Sequence, residues 1–248
     1  MVRAGWPKRG RWRFVLLGVD MVAVLPVAGV RGVRGSARRD ALAGWALPLM
    51  LFDHVAVLVT PWVSGLAEVW LRVPGRLVMP IFALLTASAV SAWSGGDGAR
   101  PYLRRLFWLA VVSEVPYWLY FGHPVNAVYA LWVGAVALWG IQGRRWPVSL
   151  FVLGLFALWC AGTGQGFEFA YALLVVLLGF RSSVLGLVAA FGAVLFLNPG
   201  AFYASLTAGA LALVLWCPVP GFARLPRWFR YGFYPVHLAL LELVRALV

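Results

Sequence analysis

Charged residues are scarce in this sequence. Charged residues make up only 12% of its 248 positions, with 8 acidic residues in all, whereas 63% of the residues are hydrophobic. A soluble domain of this length needs more polar residues than this to cover its surface. The composition therefore excludes an ordinary soluble domain and indicates an integral membrane protein.

Cysteine and histidine are also rare, with two and three residues respectively. Cys160 and Cys217 are predicted near opposite faces of the membrane, which argues against a disulfide framework. No metal-binding spacing such as H-E-x-x-H occurs, and there is no P-loop, dinucleotide-binding or serine-nucleophile motif. The sequence therefore predicts no metal site and none of these common active sites.

Long apolar runs alternate with short polar connections along the chain. Transmembrane β-strands would be shorter and would alternate apolar with polar residues, so these runs indicate helices. The predicted fold is an all-α, polytopic membrane bundle of about nine transmembrane helices. The predicted spans are 41–60, 76–93, 103–121, 124–141, 147–162, 167–180, 183–197, 201–217 and 232–248.

The arginines are unevenly shared between the two sides of such a bundle. If the 31–40 connection is cytoplasmic, alternation of the spans places thirteen arginines on that side, namely Arg31, Arg34, Arg38, Arg39, Arg100, Arg104, Arg105, Arg144, Arg145, Arg181, Arg224, Arg227 and Arg230. The other side holds Arg72, Arg76 and Arg245. This asymmetry is typical of membrane orientation, so the net charge of +13 does not indicate a nucleic-acid surface.

Residues 1–39 form a basic segment around an apolar stretch at 14–30. Basic flanks at both ends favour a surface helix or a re-entrant hairpin over a tenth span. The order resembles a signal peptide, but Asp20 interrupts the apolar part and no clear cleavage site follows, which favours an uncleaved segment. Residues 40–248 are predicted to form one membrane domain.

Ionisable side chains inside membrane spans are costly, so each one is a functional candidate. Asp53 and His54 lie together in LMLFDHVAVLVT, and a histidine there is suited to act as a general base. Arg76 opens the next span, and Glu114 is predicted to pair with Arg76 or to orient His54. A histidine that only locks two helices, or a purely structural ion pair, fits the same residues.

Two further polar residues begin later spans on the same outer side, Asn126 and Glu168. Each also suits the start of a helix, as a cap or as a first-turn acid. His237 is predicted in the inner half of the last span, where it meets an anionic ligand or caps a neighbouring helix. One polar cavity in the outer half is expected from the convergence of Asp53, His54, Arg76, Glu114, Asn126 and Glu168 at one depth.

Several sequence blocks occur in a characteristic order: LMLFDHVAVL, GRLVMPIFALL, YLRRLFWLAVVSEVPYWLYF, an Asn-led apolar span, and YGFYPVHLALL. Over about residues 40–245 this order resembles the TraX family of membrane proteins, known for acetylating the N-terminus of conjugative pilin. That family is similar in turn to transmembrane acyltransferases. The resemblance implies a bacterial inner-membrane protein in contact with lipid, acetyl-CoA as the donor, and a pilin or other membrane-delivered acceptor.

The resemblance also implies roles for individual residues. His54 is expected to remove a proton from the acceptor, with Asp53 or Glu114 orienting it and Arg76 or Asn126 stabilising the oxyanion. The residues expected to contact the substrate are Asn126, Glu168, Tyr234 and His237. The residues expected to hold the phosphates of coenzyme A are Arg104, Arg105, Arg227 and Arg230.

Two other classes of protein fit the same composition. A proton-coupled transporter would use Asp53 and His54 as an ion path, although such proteins commonly show two corresponding halves and no internal repeat is visible here. A non-catalytic scaffold would have no need of ionisable groups gathered at one depth.

Overall fold

The molecule is built from α-helices, which confirms the predicted all-α class. The computed structural model describes residues 33–63, 71, 74–164, 166–197, 201–222 and 225–247, and this part of the chain contains nine α-helices and no strand. The apolar stretch predicted at 14–30 lies outside the described residues. The helices are α1 Val33–Val59, α2 Val78–Ser91, α3 Arg100–Phe121, α4 Ala127–Gln142, α5 Trp146–Thr163, α6 Gly166–Gly179, α7 Val184–Leu197, α8 Ala201–Trp216 and α9 Arg227–Leu247.

Each of these helices corresponds to one predicted apolar run, but α1 and α9 begin well before theirs. Helix α1 begins at Val33 instead of residue 41, and α9 begins at Arg227 instead of residue 232. Both extensions contain arginines, which are good helix formers although they are not apolar. Hydropathy therefore located the apolar part of these two helices and missed their charged first turns.

Local signals set several of the other helix ends. Asn126 caps α4, because its side-chain oxygen accepts hydrogen bonds from the backbone N–H groups of Val128 and Tyr129. Gly122 and Gly164 follow α3 and α5 in left-handed conformations, with φ of 76° and 72°. These are the positions where a glycine ends a helix at little cost.

Helix α4 is the centre of the bundle and packs against α2, α3, α5 and α6. Its small residues allow close approach: a Cβ atom at Gly134 would lie 2.5 Å from the carbonyl oxygen of Ala172 on α6. Helix α1 packs on α2 and α9, and α9 also packs on α3. The long helices α1, α3 and α9 therefore form a group of their own beside the central helix.

The basic connections meet at one end of the bundle. Gln142 donates a hydrogen bond to Ser91, and the Trp139 indole donates to the carbonyl oxygen of Gly96. The Arg38 guanidinium donates to the last carbonyls of α8, at 2.6 Å from Val214 and 2.9 Å from Leu215. These contacts agree with the predicted alternation of the helices. The arginine-rich connections make this the basic end of the bundle.

Among the described residues, two helices are long and apolar enough to cross a membrane by length and composition. They are the segments Ala37–Trp62 and Trp146–Thr163. Five other apolar helices in this part of the chain are shorter, at 10–17 residues.

Candidate active site

A cavity of about 600 Å³ runs along the bundle between α1, α2, α3 and α9, and residues of α4, α6 and α8 also line it. Arg39, Asp40, Arg105 and Arg230 line it at the basic end, whereas Asp53, His54 and Glu168 line its far end. Asp40 and His54 are fourteen residues apart on α1, which is about 21 Å along the helix axis at ~1.5 Å per residue. The cavity therefore connects the basic end to the predicted site.

One face of α1 forms a wall of this cavity. Ala43, Leu47, Met50 and His54 line it at intervals of three or four residues, as neighbours on one face of a helix do. The facing walls in the middle of the cavity are mainly apolar, including Leu106 and Leu109 of α3 and Phe82 and Leu85 of α2. The ionisable groups thus lie at its two ends.

His54 and His237 form a hydrogen-bonded pair at the far end. Nδ1 of His54 lies 2.6 Å from Nε2 of His237, and Nδ1 of His237 lies 2.8 Å from the carbonyl oxygen of Phe233. The rings are tilted by only 4°, and their nitrogens are too close for face-to-face stacking. The two imidazoles therefore meet edge to edge, as a ring-to-ring hydrogen bond requires.

This pair corrects two expectations. The sequence predicts different depths for the two histidines, and that prediction is wrong because α9 begins five residues earlier than its apolar run. The group at Nδ1 of His54 is also His237, whereas Asp53 or Glu114 was expected to orient the ring. His237 is 4% exposed and does not line the cavity, so the structure gives no contact for its predicted role in substrate binding.

Aromatic side chains surround the pair. The Tyr120 hydroxyl donates to the backbone carbonyl of His54 at 2.6 Å, and the Phe121 ring lies 5.4 Å from the imidazole of His54. Tyr234 is buried on α9, one turn before His237, and lines the cavity as well. Arg245 donates to the carbonyl oxygen of Tyr120 at 2.7 Å, so α9 holds the end of α3 in place.

Asp53 packs against the 3₁₀ turn Pro74–Leu77. A Cβ atom at Gly75 would collide with the Asp53 carboxylate, so only glycine allows this approach. Both residues line the cavity. Arg76 is the next residue in this turn, but its side chain lies outside the described part of the chain. Its predicted catalytic role stays a prediction.

Glu114 is engaged in a structural contact. Its two carboxylate oxygens accept hydrogen bonds from the backbone N–H of Val125 at 2.7 Å and of Asn126 at 3.2 Å, and from the Asn126 amide at 2.7 Å. It does not line the cavity and does not reach Nδ1 of His54. The structure therefore makes Glu114 an anchor for the turn between α3 and α4, which corrects the expectation that it orients His54.

Asn126 is the other half of this anchor. It is fully buried; its oxygen caps α4, and its amide donates to Glu114 and to the carbonyl of Ala110 at 2.8 Å. The helix-cap interpretation is confirmed. All the polar atoms of this side chain are occupied within the protein, so the contacts disfavour its predicted roles in oxyanion stabilisation and substrate binding.

Glu168 does reach the cavity. It lies in the first turn of α6 and lines the far end together with Tyr117, Tyr171 and Tyr234. Asp53 and His54 of α1 thus come together with Glu168 of α6, which makes three of the six residues that the sequence predicts in one polar cavity. Tyr234 is among the residues expected to contact the substrate, whereas Tyr117 and Tyr171 escape the sequence argument because a single tyrosine in an apolar helix carries no signal of its own.

The four arginines expected to hold phosphates differ in position. Arg105 and Arg230 line the basic end of the cavity, and Arg230 lies 3.7 Å from Asp40. Arg104 does not line the cavity, since its side chain leaves α3 about 100° around the axis from that of Arg105. The side chain of Arg227 lies outside the described residues.

Comparison with known proteins identifies the family. The family model described as TraX protein matches residues 38–245, which is most of the chain. The chain belongs to the TraX family. Membership implies a conjugation-related protein that modifies pilin. No curated protein and no solved structure matches the chain.

The anchor formed by Glu114 and Asn126 gives a stability prediction. Asn126→Ala is expected to lower the free energy of unfolding by about 2 kcal/mol or more, because α4 loses its cap and the half-buried Glu114 loses a charge-assisted bond. Asn126→Ser keeps a cap oxygen and is expected to lose less. Thermal unfolding in detergent measures both changes; equal unfolding temperatures for the two variants would contradict the anchor.

Proposed function

We propose that this TraX-family chain is a membrane-embedded acyltransferase. It moves an acetyl or other acyl group from cytoplasmic acyl-CoA to an amine or hydroxyl acceptor at the outer half of the membrane. The observation that carries this proposal is the cavity that joins the arginines of the basic end to His54 at its far end. Such a passage suits a donor that arrives on one side and an acceptor that arrives on the other.

Several features favour a position within the membrane. Large apolar side chains are exposed on α5, where Leu150, Phe151 and Leu158 have 68%, 69% and 74% of their surface accessible. Exposed apolar surface on this scale needs a lipid or protein partner. The arginines gathered at one end fit the cytoplasmic side by the positive-inside rule. In the proposed arrangement α2, α4 and α6, which are short, lie largely within the bundle.

The residues at the basic end fit the donor. Coenzyme A carries several phosphates, which guanidinium groups bind with charge-assisted hydrogen bonds. Arg105 and Arg230 line the cavity there, and Nε of Arg230 is buried without a hydrogen-bond partner among the described residues. A buried donor in that state is suited to an anionic ligand. The apolar middle of the cavity then accommodates the extended arm that carries the thioester.

The far end supplies the groups for transfer. The donor provides an activated thioester. His54 takes a proton from the acceptor nitrogen or oxygen as that atom bonds to the thioester carbonyl carbon, and it returns the proton to the sulfur as the carbon–sulfur bond breaks. Asp53 and Glu168 are acidic residues at the same end, suited to receive a protonated amine before it reacts. Arg76 remains the proposed oxyanion-stabilising group.

Family membership favours a pilin as the acceptor. The N-terminal amine of such a protein would enter the far end of the cavity, opposite the basic end. Tyr234 and Glu168, which line that end, are the proposed substrate contacts.

The first functional prediction concerns His54. His54→Ala is expected to reduce acetyl transfer by about 10²- to 10⁴-fold, because the reaction loses its general base. His123→Ala is the matched control, since His123 is half-buried in the turn after α3, does not line the cavity and is expected to leave transfer unchanged. The measurement is transfer of radiolabelled acetyl groups to a pilin peptide by purified, folded protein. Full activity in His54→Ala would remove His54 from the mechanism.

The second prediction uses two adjacent arginines to test the donor end. Arg105→Ala is expected to raise the Kd of acetyl-CoA by about tenfold or more, because a charge-assisted contact is lost. Arg104→Ala removes the same charge from the neighbouring face and is expected to change Kd much less. Calorimetric titration of the purified protein measures both. No binding of any acyl-CoA would turn the proposal toward a proton-coupled transporter.

The third prediction concerns the placement in the membrane. Cys217 is exposed just after α8, at the basic end, whereas Thr163 lies exposed at the other end of α5. In intact inner-membrane vesicles of known orientation, a membrane-impermeant maleimide is expected to label Cys217 and an introduced Thr163→Cys from opposite sides. For the second measurement Cys217 is replaced by serine. Labelling of both positions from one side would refute this topology.

A further inference from the structure

We infer that His237 is a positioning residue that holds His54 in the tautomer with its proton on Nδ1. The inference about the tautomer rests on the contacts between the two rings. Its consequence for transfer rests on the proposed function of the chain as an acyltransferase. His54 lines the cavity and is the group that would touch the acceptor, whereas His237 lies behind it and acts through it.

The hydrogen bonds set the position of each proton in turn. The carbonyl oxygen of Phe233 can only accept, so Nδ1 of His237, at 2.8 Å, carries a proton and donates it. A neutral imidazole has a single N–H group, which leaves a lone pair on Nε2 of His237. Nδ1 of His54 lies 2.6 Å from that lone pair and therefore donates to it. His54 then carries its lone pair on Nε2.

Both rings are buried, with His54 8% exposed and His237 4% exposed, so that water does not compete for the bond between them. The nearly coplanar arrangement of the rings, 4° apart, directs the Nδ1–H of His54 along the plane in which the lone pair of His237 lies. A pair of neutral rings satisfies this geometry with one proton between them.

The tautomer matters for a general base. A histidine side chain free in water prefers to carry its proton on Nε2, and in that form Nε2 donates and cannot accept. The partner of one ring nitrogen decides which tautomer a protein stabilises. By accepting from Nδ1, His237 leaves Nε2 of His54 as the nitrogen that receives the acceptor's proton. The resulting cation keeps its Nδ1–H bond to His237, which then becomes charge-assisted.

The backbone around His54 is held as well. The Tyr120 hydroxyl binds the His54 carbonyl at 2.6 Å, and α9 supplies both His237 and Arg245, which binds the carbonyl of Tyr120 at 2.7 Å. His54 is thereby fixed at its ring by one residue of α9 and at its backbone through another. A rotation of α1 that moved the ring away from His237 would also break the contact with Tyr120.

The tautomer is measured directly by ¹⁵N NMR of the full-length protein labelled at histidine. Protonated and unprotonated ring nitrogens have well-separated shifts, and the spectrum is recorded at alkaline pH, where exposed imidazoles are neutral. Spectra of His54→Gln and His123→Gln assign the signals of the three histidines. We expect wild-type His54 to carry its proton on Nδ1, and we expect His237→Leu to return it to Nε2.

Activity measurements follow the same variants. His237→Leu is expected to lower kcat for acetyl transfer by about 10²-fold or more, with little change in the KM of the acyl donor, because the base is present in the wrong tautomer. His237→Gln offers an amide oxygen that can accept from Nδ1, and it is expected to recover at least about tenfold of the lost kcat. A residue with a purely structural role would not give this recovery together with the change of tautomer.

The outcomes separate this inference from the proposed function. A wild-type His54 that carries its proton on Nε2 would overturn the role of His237, whatever the activity. The role of His237 would also be overturned if His54 kept its proton on Nδ1 in the His237→Leu variant, or if that variant kept the full kcat. A protein with the expected tautomer that transfers no acyl group would refute the acyltransferase proposal alone, because the tautomer is measured without substrate.

Discussion

A polar group enclosed by apolar helices has no water to bond with, and its hydrogen bonds must come from the protein itself. Several buried side chains of this bundle follow that constraint. Ser113 and Ser149 donate to the carbonyls of Leu109 and Ala137, and Asn126 uses every polar atom that it has. The pair formed by His54 and His237 is the same solution applied to two rings that can also hold a proton.

The same requirement separates structural acids from candidate functional ones. The oxygens of Glu114 are taken by two backbone N–H groups and an amide, so this carboxylate stabilises a turn. Asp53 and Glu168 instead lie along the cavity wall. An acidic residue in an apolar helix is therefore a weak indication of chemistry by itself.

Much of the fold is accessible from the sequence because helices in an apolar environment are specified locally. Nine apolar runs predict nine helices, and Asn126 marks the start of one through a contact within three residues. The errors lie at the ends of α1 and α9, where arginines extend a helix beyond its apolar part.

Which side chains contact the site residues is decided by the tertiary structure. The sequence places His54 and His237 inside apolar helices, but they are 183 positions apart, and no local pattern relates them. Their contact depends on the rotation of α1 and α9 about their axes and on the stagger between them. The same holds for Arg104 and Arg105, whose side chains leave the helix about 100° apart. Arg105 lines the cavity and Arg104 does not, and the sequence alone does not distinguish them. Rotation and stagger result from the sum of many packing contacts across the bundle, and that sum exists only once all the helices have come together.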